Sequence, residues 1–302
     1  MKRFNKFCTQ FNVSLPFPVT EDLLCSFAAF LAEDGLAPQT IKVYLSAIRN
    51  TQISLGFPEP REQSAMARLK RVLAGIRRVR SRTGPPSRTR LPITATVLRR
   101  IGQQLCPSSR PEKELLWAVA TMAFFGFFRL GELLPESAGQ VDPARTVMWG
   151  DIAVDDRENP TMLRIHLKRS KCDQFGAGAD IIVGRAEGPL CPVQAVLAFI
   201  TVRGPTPGPF FRRQDSSPAT KPWFVDQLRE VLAAAGLPHL QYAGHSFRIG
   251  AATTAALAGV EDSTIQTLGR WHSGAFLQYI RTPREQLARL SVVLASSADT
   301  PS

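Results

Sequence analysis

The stretch "TMLRIHLKRSKCDQFGAGADIIVG", residues 161–184, decides the fold. Leu163, Ile165 and Leu167 alternate with Arg164, His166 and Lys168, the period of a strand with one face buried and one in water. "ADIIVG" (179–184) reads as a second strand, and the intervening "RSKCDQFGAGA" contains glycine and is longer than a tight hairpin needs. Just upstream, "TVMWGDIAV" (146–154) reads as a third strand. Outside this region the apolar period is helical. The expectation is therefore a mainly α chain with one small antiparallel β-sheet.

Toward the C-terminus, helical patterns cover 190–202, 222–235, 245–258 and 262–268, and a last helix follows Thr282 and Pro283, with Glu285 completing a T-x-x-E capping box. Toward the N-terminus, helices near 93–105 and 113–128 lead into "RLGELL". The most apolar segment, "LLWAVATMAFFGFF" (115–128), is too short to span a bilayer and runs into Arg129, so it reads as a core helix. The first 80 residues read as helices alone. "TEDLLCSFAAFLAEDG" has Thr20 as N-cap and Gly35 just beyond its end. "TIKVYLSAIRNTQISLG" puts Ile41, Tyr44, Leu45 and Ile48 on one stripe. "AMARLKRVLAGIRRVR" does the same with Leu69, Val72, Leu73, Ile76 and Val79. "SRTGPPSRTRLP" (81–92) breaks the pattern with Gly84, Pro85, Pro86 and Pro92. The expected organisation is a helical domain at 1–82, a basic linker at 83–92, an α+β domain at 93–295 and a disordered tail at 296–302.

The 302 residues carry a formal net charge of +12, so a polyanionic partner is expected. The excess is concentrated: residues 61–100 hold twelve Lys/Arg against Glu62 alone. A solvated face or an anionic-lipid patch would account for such a run. Its density beside a linker favours a phosphate backbone, with Lys70, Arg71, Arg77, Arg78, Arg80, Arg82, Arg88 and Arg90 as the DNA-binding candidates. The five cysteines (Cys8, Cys25, Cys106, Cys172, Cys191) show no CxxC pair and no metal spacing, as reduced thiols of an intracellular protein would. The opening "MKRFNKFCTQFN" lacks the apolar core of a secretory signal. Neither secretion nor a membrane role is expected.

Several residues could carry chemistry. Each also has a plain alternative. His245 and Arg248, three apart at a helix start, share a face but could be a capping histidine and a surface arginine. Arg129 and Glu132 leave an apolar helix, where a structural ion pair would serve as well. Lys171 could be a solvated loop lysine, and Tyr279 ordinary packing. Taken in order, Arg129, Lys171, His245, Arg248 and Trp271 are hydrogen-bond donors matched to the oxygens of a phosphodiester, where charge builds in a five-coordinate transition state. Tyr279 follows them and could attack the phosphorus. The sequence offers no carboxylate cluster for magnesium and no P-loop for ATP, so neither metal nor cofactor is expected.

With "RLGE" (129–132), "RSK" (169–171), "HSFR" (245–248), "GRW" (269–271) and "QYIR" (278–281) in that order, nearly the whole chain resembles the tyrosine recombinase (phage integrase) family. The use of tryptophan in "GRW" is Cre-like. "LKRSKCDQFGAGADI" and "HSFRIGAATTAA" are most similar to recombinases of eukaryotic DIRS-like and Ngaro-type mobile elements. The resemblance implies a SAM-like core-binding domain followed by a catalytic domain, and site-specific cleavage and rejoining of double-stranded DNA for mobile-element integration. It assigns Tyr279 as the nucleophile forming a 3′-phosphotyrosine. Arg129 and Arg248 clamp the phosphate, Lys171 is the general acid, His245 and Trp271 are further donors, and Glu132 orients the site. It also implies a homotetramer on paired sites, exchanging a C-terminal helix anchored by Leu287, Leu290 and Val293, and a nuclear location. Two departures stand out. Trp271 to Tyr279 spans eight positions, one fewer than in many bacterial relatives, and the family has more chain ahead of the stretch matching "RFNKFC". The alternative expectation is a catalytically silent DNA-binding derivative, for which "AATTAALAGVEDSTIQTLGRW" supplies helix-turn-helix texture. A type IB topoisomerase would share the chemistry.

Overall fold

The computed structural model describes residues 1–60, 66–83, 90–105, 110–170 and 176–281. The chain divides into two compact units, Met1–Ser87 and Arg88–Ser302.

The first unit contains α1 (Lys2–Gln10), α2 (Glu21–Glu33), α3 (Pro38–Ser54) and α4 (Ala67–Thr83). The Thr20 hydroxyl accepts from the Leu23 N–H at 3.2 Å and starts α2, and Gly35, at φ +76°, ends it where a side chain would be strained. Phe4, Phe7, Leu24, Phe27, Leu31, Ile41 and Ile48 form the core, with Leu69, Val72, Leu73 and Ile76 of α4 packed against it. Burying that stripe stabilises α4, each side chain by roughly 1.5–3 kcal/mol when fully covered. Val79 departs from the expected stripe. It is 62% exposed, one turn beyond Ile76, the last stripe residue on this core. The helix also runs further than composition implied. The hydroxyls of Ser81 and Thr83 donate to Arg78 O and Val79 O at 2.8 and 3.0 Å, so Thr83, the first residue of the expected linker, completes α4. Residues 84–89, Arg88 among them, lie outside the described residues.

The second unit is built around α6 (Pro111–Phe125), whose residues Leu115 to Phe124 are all buried. Packed with it are α5 (Ala95–Leu105), α8 (Pro192–Arg203), α9 (Lys221–Ala234) and α10 (His245–Leu257). The sheet is three-stranded and antiparallel, in the order β1 (Ile152–Val154), β2 (Met162–Leu167), β3 (Ala179–Gly184). Leu163, Ile165 and Leu167 face the core while Met162, Arg164 and His166 are exposed, and Ile165 pairs with Ile152 on one side and Ile181 on the other. Thr146–Gly150 forms no strand: Met148 makes an isolated bridge to Pro209, and Trp149–Asp151 is a single 3-10 turn. Among the described residues no helix is long and apolar enough to cross a membrane.

Two local features position the site. The α6 helix stops at Phe125, because Phe127 takes φ +50°, burying Phe127 and Phe128 and directing the chain into α7 (Leu130–Leu133). The incoming segment is stitched to α10 and its approach, with Leu91 N–H on Gln241 O at 3.0 Å and Ile93 N–H on Ser246 O at 2.9 Å. At Gly250 a Cβ would collide with the Ile93 backbone, the close approach that only glycine allows. The C-terminal helix expected from Pro283, with Leu287, Leu290 and Val293, lies outside the described residues, as do Cys106 and Cys172. Cys8, Cys25 and Cys191 are free thiols.

Candidate active site

Arg129 is the N-cap of α7, and Glu132 is its third helical residue. The Glu132 carboxylate is 5% exposed and fully used: Oε2 accepts the Arg129 N–H at 2.9 Å, and Oε1 accepts Arg129 Nη1 at 2.9 Å. Arg270, which follows α11 (Asp262–Leu268), donates Nη2 to the same Oε2 at 3.0 Å. It also reaches Gly126 O at 3.1 Å and Phe127 O at 3.2 Å. One buried carboxylate thus holds two guanidinium groups and fastens the "GRW" turn to the α6 exit. Arg270 was not among the residues singled out from the sequence. It adopts φ +54° and stands nine positions ahead of Tyr279, where the spacing to Trp271 had come out one short.

Arg248 lies one turn into α10 and is fully buried. Its Nη1 donates to Phe127 O at 2.8 Å and its Nη2 to Gly269 O. The guanidinium carbon sits 4.2 Å from the centroid of a Trp271 ring and 6.0 Å from that of Tyr279. Burial pushes its pKa down to about 10, and the neighbouring Arg129 and Arg270 push the same way. Arg248 Nε and Trp271 Nε1, side by side here, are buried donors without a hydrogen-bond partner. The Nε atoms of Arg49, Arg213 and Arg229 are further ones elsewhere, so what marks this spot is the pairing of an orphan guanidinium N–H with an orphan indole N–H. Gly269 makes the arrangement possible, since the indole folds back over it where a Cβ would collide with the ring.

Tyr279 closes the cluster from a 3-10 turn, Gly274–Gln278. It is half-buried, with its ring centroid 5.1 Å from Trp271 and 5.9 Å from His245, the exposed first residue of α10. The fold therefore brings Arg129, Glu132, His245, Arg248, Trp271 and Tyr279 together from segments up to 150 residues apart in the sequence. Lys171 lies outside the described residues. The nearby Lys168 is already engaged, with Asp151 at 2.5 Å and Pro143 O at 2.8 Å.

Beside the cluster opens a cleft of about 920 Å³, lined among others by Arg129, Glu132, His245, Arg145, Arg169 and Lys221. Arg169 and Ser170, which lead out of β2, are part of its wall. Arg248, Trp271 and Tyr279 do not line it. The charge is mainly positive, which suits an anionic ligand. Three of these cations have carboxylate partners: Arg129 with Glu132 at 2.9 Å, Arg145 with Asp142 at 3.5 Å and Lys221 with Glu136 at 2.6 Å. In the first unit, α4 turns Lys70, Arg71, Arg77, Arg78 and Arg82 to solvent with Arg80 half-buried, and among the described residues none of the six is ion-paired. Arg90 belongs to the second unit, where Nη1 donates to Leu240 O at 3.1 Å. Among the described residues no group of three or more His, Cys, Asp or Glu could hold a metal ion.

The second unit has the fold of a tyrosine recombinase catalytic domain, mostly helical with a small antiparallel sheet. Over 98% of this chain and 92% of the other, the structure matches a Tn1549 transposon integrase solved with transposon right end DNA, at a TM-score of 0.59 and 14% identity. It matches the XerH site-specific recombinase bound to a palindromic difH substrate over 97% and 76%, at 0.57 and 14%. In sequence the chain is 25% identical over 282 residues to an integrase/recombinase xerD homolog of Selenomonas ruminantium, covering 89% of this chain and 75% of that protein. No protein-family model matches. The sequence similarity and the shared fold support the tyrosine recombinase/integrase family.

Proposed function

We propose that the protein is a site-specific DNA recombinase that cleaves and rejoins strands through a 3′-phosphotyrosine at Tyr279. The observation that carries this reading is the convergence of a tyrosine, a histidine and three arginines on two buried donors that no protein group satisfies. A phosphodiester has the oxygens such donors lack. The Tyr279 oxygen attacks the scissile phosphorus and the bond from phosphorus to the 5′-oxygen breaks. Lys171 gives that oxygen its proton, and His245 assists removal of the phenolic one. Arg129 and Arg248 bind the non-bridging oxygens, with the Trp271 indole N–H as a further donor. Glu132 acts through Arg129 and Arg270. The phosphotyrosine bond retains the energy of the broken one, so rejoining needs no ATP.

Arg248 is sealed against carbonyls in the described state, so catalysis requires the turn carrying Trp271 and Tyr279 to shift when DNA enters. The basic face of α4 supplies sequence-independent phosphate contacts in this reading, and its helical unit serves as the core-binding domain. DNA as substrate draws support from the two structural neighbours, both solved with DNA. Mobile-element integration, a kinship with DIRS-like and Ngaro-type recombinases, action in the nucleus and a tetramer on paired sites complete the proposal. The same sealing of Arg248 favours one alternative, a DNA-binding derivative that no longer cleaves.

Covalent capture separates the two. Wild type and Tyr279→Phe are incubated, with EDTA and without ATP, on DNA carrying the sequences that flank the gene. A denaturant-resistant adduct in wild type alone is the expected result. DNA binding by both with an adduct in neither would transfer the protein to the binding-only reading.

A further inference from the structure

We infer that Thr253 is a positioning residue that fixes the Tyr279 segment on α10, the helix that also supplies His245 and Arg248; this rests on Tyr279 being the nucleophile. A buried threonine in a helix commonly returns its hydroxyl to its own helix, as Thr121 does in α6, donating to Trp117 O at 2.9 Å. Thr253 is 1% exposed and does otherwise. Its Oγ1 donates to Tyr279 O at 3.2 Å and accepts the Arg281 N–H at 3.0 Å. One hydroxyl therefore grips the main chain on both sides of Ile280, just after the 3-10 turn that delivers the tyrosine.

The consequence is geometric. The His245 ring contacts the Tyr279 ring from the first turn of α10, and Thr253 holds the Tyr279 backbone from its third. Ring and main chain are thereby referred to one rigid element about 12 Å long between those residues. An in-line attack tolerates little displacement: an ångström of misplacement costs on the order of a hundredfold in rate. Tyr279 and Arg281 are half-buried and exposed respectively, so water can take over their main-chain groups when the hydroxyl is lost. A merely structural threonine would show itself in folding. A positioning one shows itself in the tyrosine.

The test compares Thr253→Val, which keeps the shape and removes the hydroxyl, with Thr253→Ser, which keeps the hydroxyl. The chain has three tyrosines, so 3-fluorotyrosine labelling gives three fluorine resonances, and the one lost in Tyr279→Phe is that of Tyr279. In Thr253→Val that resonance alone is expected to move toward its unfolded position and broaden, with Thr253→Ser resembling wild type. DNA affinity and melting temperature stay unchanged. The adduct-forming rate at saturating DNA falls about a hundredfold in the valine variant and recovers in the serine variant. If the resonance responds as described but wild type forms no adduct, the tether stands and the recombinase reading falls. An unchanged Tyr279 resonance in Thr253→Val overturns the inference, as does a valine variant whose binding and folding fail together with cleavage.

Discussion

Two buried arginines in the second unit lie against tryptophans in the same way and differ in how their donors are used. Arg203, the last residue of α8, sits 4.4 Å from the centroid of a Trp149 ring, and Arg248 sits 4.2 Å from that of Trp271. Both are pushed down to about 10 by burial. Arg203 spends its donors on Phe210 O, Gly204 O, Thr206 O and Pro209 O, at 2.6 to 2.8 Å, and so ties the loop after α8 into a closed knot. Arg248 binds two carbonyls and leaves Nε unpaired beside an unpaired indole N–H. A buried cation whose donors are all used holds a fold together. In the proposed reading Arg248, with its orphan donor beside that of Trp271, is held in readiness for an anion.

The matched pair Arg203→Met and Arg248→Met tests this contrast most severely. Methionine keeps volume and removes charge. Arg203→Met strands four carbonyls and is expected to lose roughly 3–5 kcal/mol, about 10 °C in melting temperature, by thermal denaturation. Arg248→Met is expected to change stability by under about 2 kcal/mol, because it strands at most two carbonyls. Phe127 O, moreover, keeps its bond from Arg270. Adduct formation should fall at least a thousandfold for Arg248→Met, beyond the range for a single lost oxyanion donor because two phosphate contacts go at once. The opposite ordering, with Arg248→Met unfolded and Arg203→Met inactive but stable, would break the comparison.

The tryptophans sharpen it at smaller scale. Trp271→Phe removes one orphan donor and keeps a ring over the guanidinium. Stability should be flat while the adduct-forming rate drops about a hundredfold. Trp149→Phe weakens a cation–π contact and the stack on Phe210, whose centroid lies 5.9 Å away. A loss of about 1 kcal/mol with unchanged cleavage is expected there. Equal rate effects at the two positions would mean that the Trp271 N–H never meets the phosphate.

What could be read from the sequence follows the range of the interaction. The β2 and β3 strands were legible because a two-residue period is local, and the stripe on α4 was legible up to Ile76. Val79 was misjudged because the length of the surrounding core is not written in the helix. Thr146–Gly150 looked like a strand, but Met148 had only Pro209 to pair with. In the site, Arg129, His245, Arg248 and Trp271 could be singled out as residue types in order and the fold brings them together, while Lys171 lies outside the described residues. Their supports could not be singled out. Arg270 reaches Glu132 across 138 positions from a left-handed backbone, and Thr253 turns its hydroxyl outward onto a segment 26 positions away. Neither habit has a local signature.

Asp155 offers the mildest test, a satisfied charge of opposite sign outside the cluster. In the turn between β1 and β2 its carboxylate accepts from the Thr161 hydroxyl, from Thr161 N–H at 2.9 Å and from Met162 N–H at 3.0 Å. The hydroxyl bond, then that of the Met162 amide, hold its pKa well below the usual carboxylate range. Because the folded value lies below the unfolded one, the stabilisation is complete above about pH 4 and is lost as pH falls further, through the folded value. Asp155→Asn should therefore lower the melting temperature slightly at neutral pH, and the deficit should shrink as the solution is acidified below about pH 4. Cleavage should not change. A deficit that persists at low pH would mean that the shape of the turn, rather than the charge, is what Asp155 contributes. A change in cleavage would mean that satisfied charges outside the cluster reach the chemistry, and the line drawn between Arg203 and Arg248 would have to be redrawn.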